Sequence, residues 1–370
     1  MKKVILMSME DDKIEWSPAK YQLLDSLKAR GFVTYVILPD RLKNRSRITA
    51  IDYVINAKGM TAWEIRKEII KINPQIVIAT LYVDTAITYL LPFIMKDTSF
   101  YYYNLEIYTP YVDKEIMSED IKYYFGYKLR YPLEKIKEIL YTRFAKGFTI
   151  QDPLRRKLAA KYHVWHPNTI YIPNSYVFNE SALVPKGREG VIYSGGIKRR
   201  FLVEQFDDLK SIHDLPVVFT GIIDSWCFKR IKKLQRTNPN LKFVQQVLSI
   251  NEYTDYVRQF AIGLVWYSSL KEDETHYCMG LSSGKMFKHL SLGQPIIAVD
   301  CMGITETVNK YQLGVVIHNI SELPQAYKII MDNYSYYQEN VIRTYQQRFD
   351  FKKRIEPFLE LIENDVSLNV

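Results

Sequence analysis

The segment GLSSGKMFKHLSLGQPIIAVDCMGITETV, residues 280–308, decides how the chain is read. It runs from small polar residues into an amphipathic helix, stops at Gly293-Gln294-Pro295, continues as an apolar strand and turns again at Gly303. Ser282, Ser283 and Gly284 precede a helix that carries Lys285, Lys288 and His289, and Gly303-Ile304-Thr305-Glu306 follows the strand at once. Both cues sit at strand or helix ends, where open α/β sheets keep their ligands. The first turn of a helix offers unbonded N–H groups and a positive dipole end, so the natural guest is an anion. Lys285 in that turn opposes the dipole unless an anion is present.

Outward from this segment, apolar runs alternate with amphipathic stretches almost throughout. Strands are expected at 3–9, 32–40, 50–56, 74–80, 99–108, 147–152 and 169–175, with helices at 17–31, 62–72, 84–95, 121–147 and from Asp152 onward. Ser17 as N-cap, Pro18 at the first position and Gly31 past the end punctuate the first helix. The Pro/Gly/charged stretch VPKGREG, 184–190, then interrupts the pattern, which restarts with strands at 191–196, 215–221, 241–247, 261–268, 295–300 and 314–318. Helices at 322–332 and 335–366 end it. Strand-helix alternation at this spacing means parallel, doubly wound sheets. The architecture expected is two Rossmann-like domains, 1–185 and 186–344, facing across a cleft, with 345–370 packing back on the first.

The bulk composition agrees with a folded two-domain chain: 370 residues, 47% hydrophobic and 25% charged. No apolar run reaches 18 residues, and MKKVILMSM reads as a first strand and not as a leader. The three cysteines, Cys227, Cys278 and Cys301, form no CxxC pair and suit a reducing cytoplasm. A formal charge of +9 favours anionic partners, yet no RNA-binding motif, zinc spacing or basic tail is present, so nucleic acid is not expected.

In QDPLRRKLAAKYHVWHPNTIYIPNS (151–175), VIYSGG (191–196), LKFVQQVLSINEYTDYVRQFAIGLVWYS (241–268) and the opening segment, the chain resembles GT-B-fold glycosyltransferases, in particular the large, mostly retaining family that builds bacterial polysaccharides and glycolipids. The resemblance covers nearly the whole chain. It implies a nucleotide-sugar donor, UDP- or GDP-linked, bound by the second domain, and an acceptor bound by the first. Departures are plain. Where the family carries two glutamates eight residues apart, Gly280 and Lys288 stand here; its glycine-arginine turn is Gly195-Gly196, with Lys198, Arg199 and Arg200 just downstream; its glycine-rich first loop is MEDDKIEWSP.

Within that frame the donor-binding candidates are Gly195, Gly196, Lys198, Arg199, Ser283, Gly284, Lys285, Lys288, His289, Ile304, Thr305 and Glu306. Paired glycines let backbone approach a ligand, and the cations beside them neutralise a diphosphate leaving group, with Lys198 counted as catalytic. Glu306 accepts sugar hydroxyls, and Ile304 and Thr305 offer N–H groups. In the first domain Asp12 and Glu106 are the candidate carboxylates for orienting or deprotonating an acceptor hydroxyl. Asp273-Glu274-Thr275-His276 is a candidate lid. No metal is expected, since no DxD-type pair lies at a suitable strand end. The helix 121–147 mixes tyrosines with lysines and arginines and suits either a bilayer interface or ordinary packing on the sheet. The expected activity is metal-independent, retaining sugar transfer to a saccharide or lipid-linked acceptor in surface-polysaccharide synthesis, without cofactor. It is placed in the cytoplasm, and at the inner face of the membrane if that helix meets lipid. A non-catalytic glycan- or partner-binding protein and a nucleotide-sugar epimerase of the same fold remain open.

Overall fold

Short apolar runs form the strands of two separate parallel sheets in a computed structural model of the chain, which describes residues 2–9, 17–40, 49–111, 121–197, 206–212, 215–223, 225–245, 250–267 and 273–368. Two compact units result: Met1–Asn174 with Phe351–Val370, and Ser175–Asp350.

The first unit holds β1 (Lys3–Met7), β2 (Val33–Leu38), β3 (Tyr53–Asn56), β4 (Ile76–Ala79), β5 (Ser99–Tyr103), β6 (Gly147–Ile150) and β7 (Thr169–Tyr171). Their order is β3-β2-β1-β4-β5-β6-β7, all parallel, so the sheet grows away from β1 and β4 in opposite directions. Around it lie α1 (Pro18–Ala29), α2 (Ala62–Ile72), α3 (Tyr82–Thr88), α4 (Leu91–Ile94), α5 (Ile121–Phe144), α6 (Pro153–Lys161) and, from the end of the chain, a helix Phe351–Leu368. Every residue of β4 and β5 is buried, as central parallel strands require. Start signals behave as their chemistry dictates. Thr61 and Glu64 close a reciprocal capping box on α2, and the Asp152 carboxylate accepts from the Arg155 N–H at 2.7 Å. The helix expected over 84–95 is two, because Pro92 lacks the N–H that would continue the ladder.

The second unit holds β8 (Glu189–Ser194), β9 (Val217–Thr220), β10 (Leu241–Val244), β11 (Phe260–Val265), β12 (Ile296–Val299) and β13 (Gly314–Ile317), in the order β10-β9-β8-β11-β12-β13. Its helices are α7 (Ser225–Thr237), α8 (Ile250–Val257), α9 (Glu274–Tyr277), α10 (Gly284–Ser291), α11 (Ile304–Tyr311), α12 (Leu323–Asp332) and α13 (Tyr334–Thr344), so the helix from Phe351 is α14. The direction of growth reverses between β8 and β11. Register aligns Ser194 with Thr220 and Val265 with Ala298 at the strand ends.

The units part at Asn174, ahead of the 184–190 stretch and the boundary expected at 185. Residues 176–184 are tied into the second unit: the Tyr345 hydroxyl bonds both the N–H and the carbonyl of Tyr176, and the Val184 N–H donates to the Leu292 carbonyl at 2.8 Å. The single helix expected over 335–366 is α13, a π turn at Tyr345–Phe349, a break at Asp350 and then α14. That last helix joins the first unit, where Arg30, the C-cap of α1, pairs with Glu356 and Glu363, the Tyr101 hydroxyl donates to Asp365 at 2.9 Å, and Phe358 packs on Tyr101 and Tyr103. Gly147 is the residue that admits it, since a Cβ there would stand 2.6 Å from Leu361.

Candidate functional site

In an open parallel sheet the place where strand order reverses leaves a crevice at the carboxyl ends of the two strands involved. In the second unit those ends are Ser194-Gly195-Gly196 after β8 and Trp266-Tyr267 after β11. The helix α10 starts there. Its N-cap, Ser283, is fully buried, accepts from the Met286 N–H at 3.0 Å and shares a 2.9 Å hydrogen bond with the Tyr267 hydroxyl. Within the first turn, the Lys285 ammonium stands over two rings, 4.2 Å from the centre of Tyr267 and 4.8 Å from that of Tyr193. Such cation–ring contacts hold a positive charge in place without neutralising it.

The glycine turn serves this lysine. A Cβ at Gly195 would lie 2.6 Å from Lys285 Cε, and one at Gly221 would lie 2.0 Å from the Gly195 carbonyl oxygen. The Gly195 N–H is taken by the Thr220 carbonyl at 2.9 Å, and the Gly196 carbonyl accepts from the Tyr193 hydroxyl at 3.1 Å. The room that the sequence assigns to a ligand is therefore occupied in part by the Lys285 side chain. Lys198 and Arg199 lie outside the described residues.

His289 is not a ligand-facing group. It is fully buried, and both ring nitrogens are engaged: Nδ1 with Gln294 Oε1 at 2.8 Å, and Nε2 with Ser194 Oγ at 3.0 Å. The Gln294 amide nitrogen already donates to the Val257 and Phe260 carbonyls, so Gln294 Oε1 must accept; Nδ1 carries the proton and Nε2 accepts from the serine. Burial pushes the imidazole down to about 4, with the charges of Lys288 and Lys285 acting in the same direction. The ring is neutral and fixes Ser194 at the head of the glycine turn. Gly263 on β11 makes its seat, for a Cβ there would be 2.2 Å from His289 Cγ.

Lys288 reaches α8 instead, where its ammonium bonds Thr254 Oγ1 at 2.5 Å and stands over Tyr176 and Tyr253. Burial lowers it to about 8, against the pull of Asp255. It is 6% exposed, so direct contact with a ligand is limited. Burial also raises the Tyr253 hydroxyl to about 12, and Tyr176 and Tyr193 further still. Sequence reading missed these three tyrosines and Tyr267; Tyr193 and Tyr267 are marked only by their place at strand ends, and Tyr253 lies on α8.

Beyond β12, Gly303 adopts φ +82° and admits the sharp turn into α11. Glu306 is exposed in the first turn of that helix. Ile304 is buried, and the Ile304 and Thr305 N–H groups both donate to the Cys301 carbonyl, at 3.1 and 3.0 Å, so neither is offered as expected. The Thr305 hydroxyl donates to Asp300 at 2.6 Å. The 273–276 stretch is pinned beside this turn: Asp273 and His276 are 2.7 Å apart, and the buried Cys301 thiol donates to the carbonyls of His276 and Tyr277. A free lid it is not.

The first unit has its own reversal between β1 and β4. Buried Asp84 accepts there from the N–H groups of Met9, Thr80 and Leu81, while the buried Lys20 ammonium donates to Ser8 Oγ at 2.8 Å. Asp12, which follows β1, lies outside the described residues. Glu106, after β5, is exposed and makes no hydrogen bond or ion pair among them. On α5, Phe125, Leu129, Leu133 and Ile136 form an exposed stripe, with Leu129 at 76%. Both acids of that helix turn inward, Glu134 to the Tyr108 hydroxyl and buried Glu138 to Lys135 and Tyr102. Lys128, Arg130 and Arg143 are exposed. No helix among the described residues is long and apolar enough to cross a membrane.

Residues 193–348 match the C-terminal domain of the glucosyltransferase 3-like family. The architecture is that of solved glycosyltransferases. Anabaena HepE in complex with UDP-glucose superposes with a TM-score of 0.71 at 12% identity, over 98% of this chain and 100% of that one. Sucrose-phosphate synthase from Thermosynechococcus elongatus gives 0.69 at 13%, over 98% and 99%. WaaG, a glycosyltransferase involved in lipopolysaccharide biosynthesis, gives 0.63 at 12%, over 97% and 99%. No curated protein sequence matches the chain. The chain has the GT-B fold, and its second unit is similar to a glucosyltransferase 3-like C-terminal domain.

Proposed function

We propose that this chain, a GT-B fold with a glucosyltransferase 3-like domain in its second unit, moves a sugar from a nucleotide-sugar to a saccharide or lipid-linked acceptor with retention of configuration and without a metal. The observation that carries the reading is the Lys285 ammonium, held over two tyrosine rings at the start of α10 where the strand order reverses. A fixed cation and a helix N-terminus at one point stabilise the charge that develops on a departing diphosphate. UDP is the proposed nucleotide, supported by HepE, whose structure holds UDP-glucose. Lys198 and Arg199 are proposed to add charge from the turn after β8, a role that stands on the sequence. In a front-face reaction the leaving phosphate takes the acceptor proton, so Glu106 and Asp12 are proposed to orient the acceptor, and no base is obligatory.

Glu306 is the proposed partner of sugar hydroxyls. Glu306→Gln, at an exposed position, should leave the thermal midpoint and UDP affinity unchanged while cutting turnover about tenfold or more, a loss of about 1.4 kcal/mol in the transition state. Full transfer with every donor used by the wild type would remove the residue from the site.

The outward face of α5 supports a peripheral membrane location at the inner leaflet, with a lipid-linked acceptor. An apolar stripe bordered by cations, with the acids turned inward, suits an anionic bilayer, and a second copy of the same face would meet like charge. Sedimentation with phosphatidylglycerol vesicles should fall steeply with salt, since exposed charges are screened within about 10 Å at 0.1 M, and Leu129→Asp should abolish it. Equal binding to neutral vesicles, or an unaffected variant, would leave α5 without this role.

A further inference from the structure

A polar cavity of about 300 Å³ lies in the second unit at the C-terminal end of α11, the end opposite Glu306. Its size is at the lower limit of the range of about 300–1,000 Å³ usual for small-ligand sites. Three cations from three elements line it: Lys310 of α11, Arg343 of α13 and Arg348 of the π turn. No acidic side chain lines it, and none of the three forms an ion pair among the described residues.

Cations at a helix C-terminus ordinarily answer the dipole and its unbonded carbonyls. Here two of the terminal carbonyls of α11 are met by other groups: Gln312, whose backbone lies at φ +53°, donates its side-chain amide to the Asn309 carbonyl at 2.7 Å, and the Leu313 N–H reaches the Val308 carbonyl. In the π turn the Asp350 N–H reaches the Tyr345 carbonyl. Arg343 donates to the buried Asn340 amide oxygen at 2.5 Å, which fixes the guanidinium. The π turn, a rare wide turn that recurs at functional sites, carries Gln347 and Arg348 into the lining. The Tyr336 ring, 53% exposed, offers a flat apolar face at the rim.

We infer that this cavity binds a sugar carrying an oxyanion, a phosphate or a carboxylate, at a site separate from the one at the start of α10. The cations take the oxyanion through charge-assisted hydrogen bonds, the Asn340 and Gln347 amides take hydroxyls, and the Tyr336 face covers the ring. A glycan bearing such a unit would be held by the second unit away from the reacting end.

The test is calorimetric titration of glucose 6-phosphate, glucuronate, glucose and inorganic phosphate into the full chain saturated with UDP, which fills the diphosphate position of the first site, while the double variant below assigns the remaining signal to this cavity. Glucose 6-phosphate or glucuronate should bind at least tenfold more tightly than glucose and than inorganic phosphate, and the tighter of the two identifies the oxyanion. The exposed double change Arg343→Gln with Arg348→Gln should weaken that binding at least tenfold while leaving UDP affinity and the thermal midpoint unchanged. Glucose bound as well as the charged sugars, inorganic phosphate bound as tightly as either of them, or a double variant that binds like the wild type would each overturn the assignment. Failure to bind UDP would count against the proposed transfer reaction only, because the probe comparison and the double variant report on this cavity alone.

Discussion

Replacing Lys285 by methionine is expected to weaken UDP binding about ten- to hundredfold while leaving uridine binding within about twofold. A charge-assisted contact contributes about 1.5–3 kcal/mol, and only the diphosphate makes it. Methionine keeps most of the apolar stem that fills the space beside Gly195, so packing against Tyr193 and Tyr267 is conserved. The measurement is titration of both ligands into both proteins, after matching thermal midpoints. Parallel losses for UDP and uridine would mean that Lys285 shapes the pocket and does not meet the phosphates.

The second large effect is one of stability. Gly263→Ala should destabilise the second unit by about 3 kcal/mol or more. The new methyl would stand 2.2 Å from His289 Cγ and 2.5 Å from Nδ1. The ring cannot retreat without breaking its bonds to Ser194 and Gln294, which would leave buried polar atoms unpaired at about 1–3 kcal/mol each, on top of about 1–3 kcal/mol of overpacking. For a unit of this size that lowers the melting midpoint by about 6–12 °C. Gly126→Ala on α5, where a Cβ meets nothing within 4 Å, is the matched control and should be neutral or stabilising by about 0.5–1 kcal/mol. If the Gly263 variant melts with the control, the imidazole is not held as described.

These two positions also mark how far the sequence could be read. Strands such as Ile76–Ala79 and Ile296–Val299 announce themselves, because a parallel strand buried on both faces must be apolar at every position. Ser283 and the turn at Gly303 are equally visible, since caps and positive φ demand particular residue types. The role of His289 is not visible. Lys285, Lys288 and His289 look alike on a helical wheel, and what separates them is tertiary: a glycine on β11, a glutamine past the helix end, a threonine on α8. The same holds for Ile304 and Thr305, whose N–H groups are spent on Cys301 because the turn closes on itself. The break at Asp350 escaped because the residues on either side of it both favour helix, and only the passage from one unit to the other requires the interruption.

That passage has a consequence for how the chain is made. The first unit is assembled from two pieces, and α14, its last helix, emerges only after the whole of the second unit has been synthesised. At roughly 5–20 residues per second this delay is about 10 to 35 s, long compared with the folding of a single domain. During that interval Arg30 waits without Glu356 and Glu363, Tyr101 without Asp365, and the cavity beside Gly147 without Leu361. The unit begun first is therefore the one completed last, and its unfinished face is apolar.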